Sequence, residues 1–130
     1  MKKIFYSSMI LLAAACSGAG VTESGLEPEK FVSDADGKAT ALYTLTNASG
    51  MEVCITNFGG RIVSVMVPDK DGNMRDVVLG FDNVEDYKTV PSDFGAAIGR
   101  YANRINQGRF TLDGVEYQLP QNNYGHCLHG

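Results

Sequence analysis

The sequence is short of positive charge. Its 130 residues include 11 lysines and arginines against 15 aspartates and glutamates, which gives a formal net charge of -4. A protein that binds a phosphate backbone neutralises it with clustered lysine and arginine, and this composition supplies no such cluster. The composition therefore argues against nucleic acid as a partner.

The amino-terminal apolar run is too short to cross a membrane. Residues 4–15 carry no charge, whereas a spanning helix needs about 20 apolar residues. Lys2 and Lys3 precede the run, and small residues lead from it to Cys16, as in a bacterial lipoprotein signal peptide. We expect residues 1–16 to direct export to the cell envelope, with Cys16 as the lipidation site. Ordinary secretion to the periplasm, with an incidental cysteine, is the alternative.

Tryptophan is absent and proline is scarce, with four residues against 15 glycines. This balance favours many tight turns between short strands. Hydrophobic residues make up 44% of the chain and charged residues 20%, as in a soluble globular domain. Residues 17–28 are small and polar, and we interpret them as a flexible tether with nothing to bury. The amino-terminal part of an all-β domain is then expected over residues 29–130.

Apolar residues beyond the tether recur with a period of two, which is typical of antiparallel β-strands. Met51, Val53 and Ile55 share one face of a predicted strand, and Gly59-Gly60 allows the turn that follows. A second strand is expected over residues 61–67, with apolar residues on both faces that indicate burial between layers. A third is expected over residues 76–81.

The clearest local prediction is a β-hairpin over residues 109–119, because Asp113-Gly114 forms the two-residue turn that joins antiparallel strands. This turn places Phe110 opposite Tyr117 and Leu112 opposite Val115, and we expect the resulting apolar face to point inward. Residues 84–89 are the one segment with a helical pattern. We find no internal repeat.

Two cysteines remain once Cys16 is set aside. An oxidising compartment would permit Cys54 and Cys127 to form a disulfide. Cys54 lies in a predicted strand, and Cys127 lies beside a histidine. The favoured interpretation is two independent thiols, one of which fills the core.

Several motifs follow one another in the last third of the chain: Gly99-Arg-Tyr-Ala-Asn-Arg-Ile105, then Gly108, Phe110, Leu112-Asp-Gly114, Tyr117 and Leu119, then Leu128-His-Gly130. They resemble the motifs of the aldose 1-epimerases. Asn57-Phe-Gly59, Val67-Pro-Asp-Lys70 and the run from Asp76 to Asp82 resemble the opening strands of the same family. The resemblance covers residues 40–130 and is specific because the motifs agree in order and spacing.

The resemblance implies a large antiparallel β-sandwich, incomplete in this chain, that interconverts the α and β anomers of free aldohexoses such as galactose and glucose. It implies no metal and no nucleotide cofactor, and a small-molecule aldohexose as the partner. We also expect a monomer. Ring opening needs a proton delivered to the ring oxygen and another removed from the anomeric hydroxyl.

By motif match, His129 is the first active-site histidine, placed near the ring oxygen, and Asn103 and Arg104 bind the substrate. An imidazole with a pKa near about 6.5 exchanges protons around neutral pH, and a guanidinium offers several fixed donors to sugar hydroxyls. His126 has no counterpart in the family, so we expect it at the surface. The spacing of His126, Cys127 and His129 is not that of a closed zinc site.

Two parts of the family's machinery have no match in these 130 residues. They are a second histidine far downstream, the usual acid, and a late glutamate, the usual base. We therefore expect the chain to be an inactive amino-terminal fragment of an epimerase. Two alternatives stay open: a non-catalytic carbohydrate-binding envelope lipoprotein on the same scaffold, and a structural β-domain with an accidental motif.

Overall fold

The computed structural model describes residues 20–130, which form antiparallel β-strands, one short α-helix and two 3-10 helices, Pro28–Phe31 and Asn106–Gly108. The all-β prediction is confirmed. The signal peptide and Cys16 lie outside the described residues and stay predictions. Within residues 20–130 no helix has the length and apolar character needed to cross a bilayer. The strands are β1 (Ser33–Ala35), β2 (Lys38–Thr40), β3 (Leu42–Thr46), β4 (Glu52–Thr56), β5 (Arg61–Pro68), β6 (Met74–Asp76), β7 (Arg104–Ile105), β8 (Arg109–Leu112), β9 (Val115–Gln118) and β10 (Cys127–Leu128).

Four strands make the largest sheet, in the order β3-β4-β5-β6, and every neighbouring pair is antiparallel. The strands predicted around Met51 and over residues 61–67 correspond to β4 and β5. Gly59 and Gly60 join them, both with positive φ, as the turn requires. The remaining pairs, β1 with β2, β7 with β10 and β8 with β9, are separate two-stranded ribbons.

The third predicted strand, over residues 76–81, is wrong in its bounds, since β6 covers Met74–Asp76 and ends where that prediction begins. The Asp76 side chain gives the reason. Its Oδ1 accepts the Val65 N–H at 3.0 Å and the Val78 N–H at 3.0 Å, so a carboxylate takes the place that a strand carbonyl would occupy in a longer ladder. Val77 and Leu79 beyond it are exposed.

The buried face of β4 is its polar one. Glu52, Cys54 and Thr56 are buried, while Val53 and Ile55 are only partly covered. Nearby backbone satisfies the polar groups: the Glu23 N–H donates to Glu52 Oε1 at 2.9 Å and the Phe58 N–H donates to Thr56 Oγ1 at 3.2 Å. On β5, buried residues come from both faces, as predicted, and they are Val63, Ser64 and Met66.

The core lies between this sheet, the helix and the segment before β1. The helix α1 (Val84–Thr89) is where the pattern predicts it, and the Asn83 side chain caps it by accepting the Asp86 N–H at 2.9 Å. The buried cluster consists of Leu26, Phe31, Cys54, Val63, Val84 and Tyr87.

Leu26 corrects the prediction of a tether with nothing to bury. Its side chain is 6% exposed and belongs to the core. The Thr22 hydroxyl accepts the Leu26 N–H at 2.8 Å and so closes a turn before it. A single leucine in a polar stretch carries no periodic signal, which is why the composition suggested a linker.

The cysteine interpretation is confirmed. Cys54 and Cys127 are both buried, and both are free thiols within residues 20–130. Burial raises the pKa of the Cys54 thiol, opposed by a hydrogen bond with the Thr44 hydroxyl.

The hairpin of β8 and β9 has the predicted register, with Phe110 opposite Tyr117 and Leu112 opposite Val115. Asp113 and Gly114 both have positive φ, as the turn type demands. The prediction that the apolar face points inward is wrong, because all eight strand residues are exposed. No other element of residues 20–130 covers that face, and the rings of Phe110 and Tyr117 stack on each other with centroids 5.1 Å apart.

The segment after α1 is attached to β5 and leads to the ribbon of β7 and β10. The Ile62 N–H donates to the Gly95 carbonyl at 3.0 Å, and Arg61 Nη1 donates to the Phe94 carbonyl at 2.9 Å. Gly95 has a φ of 60° and lies against the Ile62 carbonyl, which leaves no room for a β-carbon.

Candidate functional site

The ribbon of β7 and β10 brings the three predicted site residues together. Arg104 pairs with Leu128 and Ile105 pairs with Cys127 in antiparallel register. Asn103 precedes β7 and His129 follows β10, so they face each other at the end of the ribbon. Residues 26 positions apart in the sequence thus become neighbours.

His129 and Asn103 are joined by two hydrogen bonds. The His129 N–H donates to the Asn103 carbonyl at 2.9 Å, and the Asn103 N–H donates to His129 Nδ1 at 3.0 Å. Both residues have positive φ, 62° for Asn103 and 68° for His129. The imidazole is half-buried, and its Nε2 is the ring nitrogen left for a ligand.

Arg104 is exposed and is held by neighbouring amides. Its Nε–H donates to Asn123 Oδ1 at 2.8 Å, and Nη1 makes a longer bond of 3.5 Å to Asn103 Oδ1. A guanidinium has five N–H donors, so with two engaged, three have no partner among residues 20–130. These donors can bind the oxygens of a polyhydroxyl ligand.

Two asparagines that the sequence reasoning missed position the site. Asn123 holds Arg104, and the Asn122 side chain fixes β10 by accepting the Leu128 N–H at 2.7 Å and donating to the Leu128 carbonyl at 3.1 Å. The available signal was Tyr124-Gly125, a two-residue turn with positive φ at both positions, directly after the asparagine pair.

His126 is half-buried at the surface and makes a structural contact that the sequence did not indicate. Its Nδ1 accepts the Gln107 N–H at 3.1 Å, and its backbone pairs with Asn123 in an isolated bridge. The residue therefore connects the Tyr124-Gly125 turn to the segment between β7 and β8. Across the part of the chain that the structure describes, no three His, Cys, Asp or Glu side chains are grouped as a metal ion would require.

A cavity of about 390 Å³ lies beside Arg104. Its surface is mostly apolar, Arg104, Asn106 and Arg109 supply polar groups, and neither Asn103 nor His129 lines it. Tyr101 is 65% exposed and supplies one aromatic wall. The lining residues are Tyr101, Arg104, Ile105, Asn106, Arg109 and Phe110.

The carboxylates available between residues 99 and 130 are those of Asp113 and Glu116. Both belong to the hairpin, Asp113 in its turn and Glu116 on β9. The ribbon therefore offers an imidazole and a guanidinium, and no hydrogen bond or ion pair joins either of them to a carboxylate within residues 20–130. This arrangement can donate hydrogen bonds to the oxygens of a ligand from one side.

The sequence matches known proteins. A family model for aldose 1-epimerase matches residues 41–130. A probable aldose 1-epimerase of Arthroderma benhamiae is 38% identical over 117 residues, which are 85% of this chain and 26% of that protein. The galactose mutarotase of Bos taurus is 49% identical over 80 residues, 62% of this chain and 23% of that protein.

A solved structure agrees with this match. The crystal structure of a GalM/aldose epimerase homologue from C. elegans superposes with a TM-score of 0.61 and 33% sequence identity, covering 70% of this chain and 28% of that one. The chain spans about a quarter of the length of the curated relatives that it matches.

Proposed function

Because the chain belongs to the aldose 1-epimerase family, we propose that it carries part of the active site of an enzyme that interconverts the α and β anomers of free aldohexoses such as galactose and glucose. The observation that carries the proposal is the convergence of Asn103, Arg104 and His129 on one ribbon. All three lie inside the segment that matches the family.

The proposed roles follow from the groups that each residue leaves open. The unengaged guanidinium donors of Arg104 hold adjacent hydroxyl oxygens of the sugar, and Asn103 orients its neighbours. The His129 ring presents Nε2 to the ring oxygen, where a hydrogen bond favours opening of the C1–O bond. Removal of the anomeric proton needs a base on the opposite side of the sugar.

We expect the 130-residue chain by itself to lack mutarotase activity, because no carboxylate within residues 20–130 is joined to His129 or Arg104 by a hydrogen bond or an ion pair. Polarimetry of freshly dissolved α-galactose should give the same rate of rotation change with the chain as with buffer alone. A rate well above buffer would show that the chain holds a complete acid and base pair, against this expectation.

Sugar binding is tested by titrating the ¹⁵N-labelled chain with galactose and recording amide and imidazole shifts. Shifts should cluster at Asn103, Arg104 and His129 and leave the core around Phe31 unchanged. Myo-inositol is the matched control, since it has ring hydroxyls but no ring oxygen, and it should shift His129 less. Galactose shifts confined to other residues would contradict the proposed site.

Export with lipidation of Cys16 is a second part of the proposal. It is supported by Lys2, Lys3, the uncharged residues 4–15 and the small residues before Cys16. Expression in a bacterium and mass spectrometry of the envelope fraction should find the chain beginning at an acylated Cys16. Cys16→Ser should release it from the membrane fraction. A soluble periplasmic protein with an unmodified Cys16 would instead support ordinary secretion.

A further inference from the structure

We propose that Asn103 is a positioning residue for His129: its backbone holds the imidazole in the neutral form that carries its proton on Nε2. The ring then meets a sugar oxygen as a hydrogen-bond donor. The sugar as ligand rests on the function proposed above, whereas the state of the ring rests on the geometry of the ribbon alone.

The direction of one hydrogen bond fixes the proton. The Asn103 N–H can only donate, and it lies 3.0 Å from His129 Nδ1, so Nδ1 must be the unprotonated, accepting nitrogen. A neutral imidazole has a single ring proton, which is therefore on Nε2. The return bond from the His129 N–H to the Asn103 carbonyl, at 2.9 Å, prevents the ring from turning away with its backbone.

The backbone conformation of Asn103 makes this arrangement possible. A φ of 62° turns both its N–H and its carbonyl towards His129. Asparagine tolerates this left-handed region better than other residues with a β-carbon, and glycine tolerates it best. The Asn103 side chain makes one bond of 3.5 Å, to Arg104, so the backbone rather than the amide group holds the ring.

This tautomer limits the chemistry of His129. Loss of the Nε2 proton would leave an anionic imidazolate, and a proton added at Nδ1 would clash with the Asn103 N–H. His129 in this state polarises an oxygen and does not deliver a proton to it. The acid that protonates the ring oxygen must then be another group.

The same kind of hydrogen bond, from a backbone N–H to a histidine Nδ1, occurs a second time four residues further along the chain. The Gln107 N–H donates to His126 Nδ1 at 3.1 Å, and Gln107 has a φ of 53°. His126 therefore serves as an internal reference, because it reports the folded ribbon while a substitution at Asn103 leaves its own hydrogen bond untouched.

Nuclear magnetic resonance on the ¹⁵N-labelled full chain at about pH 8, where an ordinary imidazole is neutral, tests the proposal. We expect a coupling across the hydrogen bond between the Asn103 amide nitrogen and His129 Nδ1, together with an Nε2–H proton on that ring. Absence of the coupling, or a proton on Nδ1, would overturn it. Neither readout needs a sugar, so failure of the proposed function would leave this result standing.

Two variants separate the backbone role from a side-chain role. Asn103→Gly should keep the coupling, while Asn103→Ala should weaken it and speed hydrogen exchange of the residue 103 amide at least about fivefold. The His126 coupling should survive in both. If Asn103→Ala also loses the His126 coupling through unfolding, Asn103→Gly decides: a retained coupling supports the proposal, and a lost one overturns it.

Discussion

Residues 20–98 and residues 99–130 are stabilised in different ways. In the first region, apolar side chains from the sheet, α1 and the segment before β1 form a buried cluster. In the second, Gly108 and Cys127 are the buried residues, and the polypeptide is held by hydrogen bonds between the backbone and amide or imidazole side chains. The proposed site lies entirely in the second region.

This difference separates the task of stabilising the fold from the task of binding a ligand. Apolar burial contributes about 1.5–3 kcal/mol for a fully covered large side chain, whereas a hydrogen bond in reach of water contributes about 0.5–1.5 kcal/mol. Groups that bind a ligand have to stay accessible, so they cannot be covered by a core. The first region is expected to supply stability and the second to supply the ligand-facing groups.

The largest expected effect comes from removing one phenylalanine side chain in each region. Phe31 is 0% exposed and Phe110 is 39% exposed. We expect Phe31→Ala to lower the free energy of unfolding by about 3–5 kcal/mol, and Phe110→Ala by about 1 kcal/mol or less. Urea unfolding measures both. Equal losses would mean that the hairpin shares in the core, and the division between regions would be wrong.

Two asparagines, one in each region, allow a finer comparison. Asn83→Ala removes the cap of α1 and should cost about 1 kcal/mol of global stability. Asn122→Ala should change global stability by less than about 0.5 kcal/mol, yet speed hydrogen exchange of the Leu128 amide, which donates to Asn122 Oδ1. A global loss from Asn122→Ala as large as that from Asn83→Ala would tie the ribbon to the cooperative core.

The smallest effect is a pH dependence confined to the first region. Burial raises the pKa of the folded Cys54 thiol above its ordinary value of 9.0, so the folded state keeps this proton longer than the unfolded state does. The stability contribution is complete below pH 9.0 and is lost as pH rises through the folded pKa. Unfolding midpoints should therefore fall in alkaline buffer, and the Cys54→Ala variant should lack this component. An identical alkaline slope in both proteins would show that the thiol does not cause it.

Local turns made much of the fold predictable. Gly59-Gly60 and Asp113-Gly114 mark the ends of strands with a clear period of two, and both turns are found where the pattern puts them. Asp36-Gly37, a turn of the same kind between β1 and β2, was available in the sequence and was missed. The ribbon of β7 and β10 has only two residues in each strand, too few for any periodicity.

The alternation of apolar residues does not show which strand faces are covered by other elements. The alternation in the hairpin shows which side chains share a face, but the exposure of that face depends on elements elsewhere in the chain. On β4 the polar face can be buried because the side chains of Glu52 and Thr56 accept hydrogen bonds from backbone N–H groups. The donor to Glu52 is distant in sequence, and the donor to Thr56 is local. Within the site, the resemblance supplied Asn103, Arg104 and His129, while Asn122 and Asn123 support them through contacts that no motif records.

The most direct test of the account joins this chain to a complete family member. In the chimera, residues 41–130, which match the family model, replace the equivalent segment of the Bos taurus galactose mutarotase, and polarimetry follows conversion of α-galactose. We predict acceleration above buffer and a loss of about a hundredfold or more in kcat/KM for His129→Ala. The exposed Tyr124→Ala is the control and should leave the rate unchanged. A folded chimera that is inactive, or one that is indifferent to His129→Ala, would contradict the proposed site.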